Sequence, residues 1–202
     1  MKNQQIKIFQ INGENIAVTT FFGKNRNQEV LEWQGRVFNF LGIPVNYVYA
    51  PFEMGISYGY LIDNYVNHLI PYVDYFVFVD MDAILLRKDS ILEIIDKIKD
   101  KNSIWGLAQQ SNHIKKNGTY QHPYPGFSGL AFSKELYIKI GQPSFVETGR
   151  GDIGEELTWR CEELGYNVVL SYPKSFYELT EAEMIESGNP KFWYVNNGIK
   201  YG

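Results

Sequence analysis

Two aspartates one residue apart, Asp80 and Asp82, close the apolar run Tyr75-Phe76-Val77-Phe78-Val79. Five consecutive aromatic or β-branched residues read as a strand buried on both faces, which points to an α/β chain with a covered sheet. Burying an unpaired charge is costly, so the two acids belong just past the carboxyl end of that strand. In open α/β sheets ligands bind at that edge. Two hard oxygen donors held there suit a divalent cation and, through it, a diphosphate. The plainer alternative is an acidic turn, since Asp is a common turn residue.

The rest of the chain alternates in the same style. Residues 6–11 and 16–21 flank Asn12-Gly13, a strong hairpin signal. A helix is expected over 28–41 with Val30, Trp33, Val37 and Phe40 as its apolar face and Gly42 as its stop. A strand follows over 45–49, then a helix over about 60–70 that ends at Pro71. Beyond the aspartates, Asp89-Ser90 caps an amphipathic helix whose apolar face is Ile91, Leu92, Ile94, Ile95 and Ile98. Strands are expected over 103–108, 128–132 and 167–171, and helices from Ser133 to Ile140 and over about 153–164. The polar segment 109–126 is longer than ordinary connections and is a candidate functional loop. The aromatic, Asn- and Gly-rich residues 172–202 are expected to wrap over the core. This order predicts a single α/β domain over 1–202, a mostly parallel sheet with helices on both faces. Residues 1–108 would form one half and 109–202 the other.

Composition narrows the partners. The net charge of −4 argues against a nucleic-acid partner, which needs a basic face for phosphates. Cys161 is alone, so an internal disulfide or a cysteine zinc cluster is excluded, and a buried thiol is the default. No stretch approaches the roughly 18–20 apolar residues of a membrane span. The polar start, Met1 to Gln5, does not lead into a signal-peptide core, so a cytoplasmic protein is expected.

Three features in order now carry a resemblance: the strand with Asp80-x-Asp82, the small-residue strand Phe127-Ser128-Gly129-Leu130-Ala131-Phe132, and the acidic helix start Asp152-Ile153-Gly154-Glu155-Glu156. The chain resembles a nucleotide-sugar-dependent glycosyltransferase of the GT-A fold. The resemblance implies transfer of a sugar from a nucleotide-diphosphate donor, a UDP-sugar in the favoured form, to a hydroxyl of a glycan or other acceptor. Mn²⁺ or Mg²⁺ would assist. In this reading Asp82 ligates the metal directly, while Asp80 contacts ribose or a metal-bound water. Thr19, Thr20, Phe21 and Phe22 would line the base and ribose pocket if their strand runs parallel to that of Asp80. Equally, the two phenylalanines could be core. Asp63, in the helix before the acid pair, lies beside the donor in similar enzymes or is simply solvated.

An inverting transfer needs a carboxylate base on the acceptor side. Asp152 leads, with Glu155 and Glu156 as alternatives. Asp152-x-x-Glu155 also has capping-box spacing, and the positive end of a helix suits a carboxylate. The chain lacks the adjacent Glu-Asp pair that carries the base in inverting GT-A families. His113 and His122 flank the polar loop, and one of them, His122 in the favoured assignment, would be a third metal ligand or touch the acceptor. His122-Pro123-Tyr124-Pro125-Gly126-Phe127 reads as a stiff aromatic wall of the sugar pocket. Three other readings remain. A sugar nucleotidylyltransferase would show a glycine-rich, basic loop after its first strand, of which Gly23-Lys24-Asn25-Arg26 is a faint echo. A carbohydrate-binding protein on the same fold would not need the acid pair. A phosphatase of the haloacid-dehalogenase type would place Thr or Val where Ile84 stands.

Overall fold

The computed structural model describes residues 6–24, 28–51, 54–109 and 123–172, together with the backbone of 175–178, 192–196 and 199–201. The segment from Met1 to Leu170 forms one compact unit and Ser171 to Gly202 a second. In the first, strands β1 (Phe9–Ile11) and β2 (Glu14–Phe22) form the expected hairpin, with both turn residues, Asn12 and Gly13, at positive φ. Helix α1 (Gln28–Leu41), strand β3 (Val45–Tyr49), helix α2 (Tyr58–Leu69) and strand β4 (Tyr75–Phe78) follow. Then come α3 (Ser90–Ile98), β5 (Ser103–Gln109), β6 (Tyr124–Ser133), α4 (Lys134–Lys139), α5 (Glu155–Glu163) and β7 (Asn167–Ser171). In the second unit the described strands β8 (Ser175–Glu178), β9 (Phe192–Asn196) and β10 (Ile199–Tyr201) make an antiparallel sheet in the order β10-β9-β8.

The first unit is built on a seven-stranded sheet in the order β1-β2-β4-β6-β5-β7, with β3 also on β2. β2 is parallel to both β3 and β4. β6 is antiparallel to both β4 and β5, so β2, β3, β4 and β5 share one direction and β1 and β6 oppose it. The sheet is therefore mostly parallel, as expected. It also interleaves the two halves of the chain, because β6 enters between β4 and β5.

Alternation along the strands sorts the core into two faces. Phe76, Phe78, Leu130 and Phe132 face α2, α4 and α5, packing on Ile62, Val66, Leu136 and Leu157. Tyr75, Val77, Val79 and Ala131 face the other way, onto Phe38 of α1 and Ile91, Ile94 and Ile98 of α3. Helices thus cover both faces of the sheet.

Three expectations shift. β6 is longer than its small-residue core, because Tyr124, Pro125 and Gly126 join the strand rather than the loop before it. Pro125 pairs with Ala108 next to a register shift at Gly106/Leu107, and a bulge is where a sheet accepts a proline. Tyr124 and Phe127 of the expected aromatic wall are buried. Finally, α1 is rotated relative to its expected face: Phe40 is 88% exposed and Trp33 is exposed, while Gln34 and Phe38 point inward.

Candidate active site

The acid pair sits where the strand pattern puts it. Val79 still donates its amide to Thr19 O at 2.9 Å, extending the β2–β4 ladder by one bond. The chain then turns through Asp80-Met81-Asp82-Ala83, closed by Ala83 N donating to Asp80 O at 3.0 Å. Because β2 and β4 are parallel, Thr19 to Phe22 end at the same sheet edge as this turn. Asp80 is half-buried and Asp82 is exposed to solvent.

A residue that the expected apolar face of α1 does not include holds the turn. Gln34 of α1 is fully buried, and its Nε2 donates to Asp80 O at 2.6 Å and to Ala83 O at 2.7 Å. The Thr20 hydroxyl donates to Val79 O at 2.9 Å and lies 3.2 Å from Gln34 Oε1. From the other side, Ser128 of β6 donates its hydroxyl to Asp80 Oδ2 at 3.3 Å. A polar residue at an inward helical position is the one available clue to Gln34, and a small polar residue in β6 the one to Ser128.

The segment before α5 meets the same place. Thr148 and Gly151 close a tight turn, with Thr148 N donating to Gly151 O at 2.9 Å. A Cβ on Gly151 would come within 2.9 Å of Glu155 Cβ, so glycine lets the helix start fold back on the turn. Asp152 N donates to Glu155 Oε2 at 2.9 Å, but the expected capping box does not form, because α5 begins at Glu155 and its cap is Gly154, at φ 78° and without a side-chain cap bond. Glu155 N donates to the main-chain oxygen of Asp152, and Asp152 Oδ1 accepts from Ile153 N at 2.7 Å. Tyr124, 2% exposed, donates its phenol to Asp152. Burial, followed by the charges of Asp152, Glu155 and Asp80, pushes that phenol far above its usual range. Strand β6 therefore carries partners of acids that lie far apart in the sequence, Ser128 for Asp80 and Tyr124 for Asp152.

The remaining candidates are spoken for in other ways. Glu155 is 0% exposed, and its Oε2 holds the Asp152 amide. Glu156 pairs with Arg150, whose Nε donates to Glu156 Oε2 at 2.9 Å and whose guanidinium also reaches Glu163 and lies over Trp159. Asp63 accepts from Ser144 Oγ at 2.6 Å and from Phe145 N at 2.8 Å, tying α2 to the loop after α4. Thr19, Thr20 and Phe21 are buried, and Thr19 Oγ1 shares a hydrogen bond with Tyr65 OH at 2.9 Å. Burial is the main cause that lifts the Tyr65 phenol to about 12. Phe21 packs edge-on against Tyr58 and Tyr65 as part of the core. Phe22 is half-buried and meets the exposed Tyr49 edge-on at 5.6 Å, leaving an aromatic pair at the ends of β2 and β3. His113 and His122 lie outside the described residues.

Among the described residues no three histidine, cysteine or acidic side chains form a group that could hold a metal ion. Two carboxylates nonetheless suffice for Mg²⁺ or Mn²⁺ when phosphate oxygens and water complete the shell, so the donor set at the turn fits such an ion. No helix among the described residues is long and apolar enough to cross a membrane.

No family model matches the chain, and no curated protein is significantly similar to it. Among solved structures, 4-diphosphocytidyl-2C-methyl-D-erythritol synthase from Anaerococcus prevotii is similar at 14% identity and a TM-score of 0.48, over 85% of this chain and 95% of that one. A protein assigned as a nucleotide-diphospho-sugar transferase from Desulfovibrio desulfuricans is similar at 11% identity and a TM-score of 0.45, over 78% and 79%. At these values both are distant in sequence and in backbone.

Proposed function

We infer that the chain is a glycosyltransferase that takes a sugar from a nucleoside-diphosphate donor, a UDP-sugar in the favoured form, and passes it to an acceptor hydroxyl. The observation that supports this most is that β6 carries partners of both acids, Ser128 for Asp80 and Tyr124 for Asp152, at the edge where β2 and β4 end. An anionic diphosphate beside these acids needs a countercharge, and Arg150, two residues from Asp152, is already engaged by Glu156 and Glu163. Asp80 and Asp82 would hold a Mn²⁺ or Mg²⁺ ion, which supplies that charge to the diphosphate oxygens.

The chain's own residues would do the rest. Phe22 and Tyr49 offer an aromatic edge to the nucleobase. Asp152, oriented by Ile153 N and Tyr124 OH, accepts the acceptor's hydroxyl proton. The acceptor oxygen then bonds to the sugar's anomeric carbon as the bond from that carbon to the diphosphate breaks. The configuration inverts in a single displacement of this kind.

Calorimetry with UDP and GDP, with and without Mn²⁺, tests the donor side. Mn²⁺-dependent binding is expected, weakened about tenfold or more in Asp82→Ala, in line with the loss of a metal-binding group. Equal binding by wild type and Asp82→Ala would remove the metal role. Glycan binding without donor turnover would favour a carbohydrate-binding protein instead.

A further inference from the structure

Gln34 has no part in the reaction just described, yet it is 0% exposed; both donors of its amide serve the acid turn, and its oxygen lies beside Thr20 of β2. β4 has ended at Phe78, so the carbonyls of Asp80 and Ala83 lack ladder partners from a strand. Nε2 takes both, at 2.6 and 2.7 Å, while Oε1 faces Thr20 of β2 at 3.2 Å. A methionine would fill the same volume and pack α1 without any polar group to satisfy. What the amide adds is geometry: the two carbonyls that bracket Met81 and Asp82 are pinned to one planar group. That group is also fixed to β2, the strand that ends at Phe22.

We propose that Gln34 is a positioning residue for the diphosphate site, setting the direction of the Asp80 and Asp82 carboxylates before any ligand arrives. The proposal rests on the metal–diphosphate reading above. A turn ordered in advance does not have to be ordered on binding, so loss of the clamp falls on affinity.

Gln34→Met removes both donors, and Gln34→Glu keeps the length but leaves at most one, the hydroxyl of a carboxyl that burial keeps protonated. Hydrogen exchange at the Asp82 and Ala83 amides is measured without ligand, and binding of UDP and GDP with Mn²⁺ by calorimetry. Both variants are expected to exchange faster at these amides. Their dissociation constants are expected to rise about tenfold, the effect of one lost buried hydrogen-bonding group. A role in folding alone would lower the binding stoichiometry and leave the dissociation constant unmoved. Unchanged turn exchange overturns the proposal, as does faster exchange with unchanged affinity. Absence of nucleotide binding by the wild type defeats the functional reading, and the exchange measurement then decides the clamp by itself. Should Gln34→Met fail to fold, Gln34→Glu supplies the same two readouts.

Discussion

Asp152 carries two donors on its carboxylate, the Ile153 amide and the Tyr124 phenol, and each has a separate origin in the chain. The first is local and follows from a turn before a helix. The second comes from β6 and exists only because that strand runs between β4 and β5. If Asp152 is the base, Asp152→Asn should leave Mn²⁺-dependent UDP binding within about twofold while transfer falls on the order of 10²–10⁴-fold, the usual range for a lost general base. Turnover assays beside calorimetry check this, and unchanged turnover would take Asp152 out of the reaction. Tyr124→Phe keeps the ring and removes the donor, so a smaller loss of transfer is expected, about tenfold, the scale of one hydrogen bond to a charged group. Gln34 makes the complementary point about residues. Helical periodicity placed Val30, Trp33, Val37 and Phe40 inward because apolar spacing cannot show that a glutamine has three partners waiting in the core.

At the scale of elements, helix α5 is set by what comes just before it. Gly154 has φ of 78°, and a Cβ there would lie 2.6 Å from the Phe127 ring. Gly165, after the helix, has φ of 75° with nothing within 4 Å of such a Cβ. Gly165→Ala should therefore cost about 1–2 kcal/mol, the left-handed backbone alone. Gly154→Ala adds a ring that must move, for a further ~1–3 kcal/mol. Urea unfolding of the two variants separates the terms, and equal losses would refute the close packing of the α5 start on β6. The helix ends themselves were legible: 28–41 for α1 and Ser133 before α4, where Ser133 Oγ accepts from Leu136 N at 3.1 Å. The Asp89 cap was not, since its side chain makes no cap bond and lies instead 3.6 Å from Arg87. β6 was underestimated because Pro125 and Gly126 read as loop until a bulge in β6 itself, at the register shift opposite Gly106/Leu107, admits them.

Across the whole first unit, Asp74 ties the base of the sheet together. It accepts from Asn15 N at the start of β2 and from Lys134 Nζ at the start of α4. Partial burial by itself would raise its carboxyl, but the Asn15 amide and the Lys134 ammonium prevail and hold it below the usual carboxylate range. A lowered carboxyl contributes stability above its unfolded value, near 3.8, that is lost as pH falls through the lower folded value. Urea midpoints between pH 7 and pH 3 should accordingly drop less for Asp74→Asn than for wild type, and parallel curves would refute the linkage. The amino-acid sequence by itself determined the α/β class, the buried strand at 75–78, the hairpin at Asn12-Gly13 and the place of the acid pair just past a strand. Those features depend on neighbours within a few residues, where periodicity and turn chemistry act. Only the tertiary structure decided that β6 runs antiparallel between β4 and β5, that Tyr124 and Ser128 meet Asp152 and Asp80, and that a buried amide from α1 holds the turn. Each of these joins groups far apart in the chain, and a local pattern carries no record of which distant partner satisfies a buried polar group.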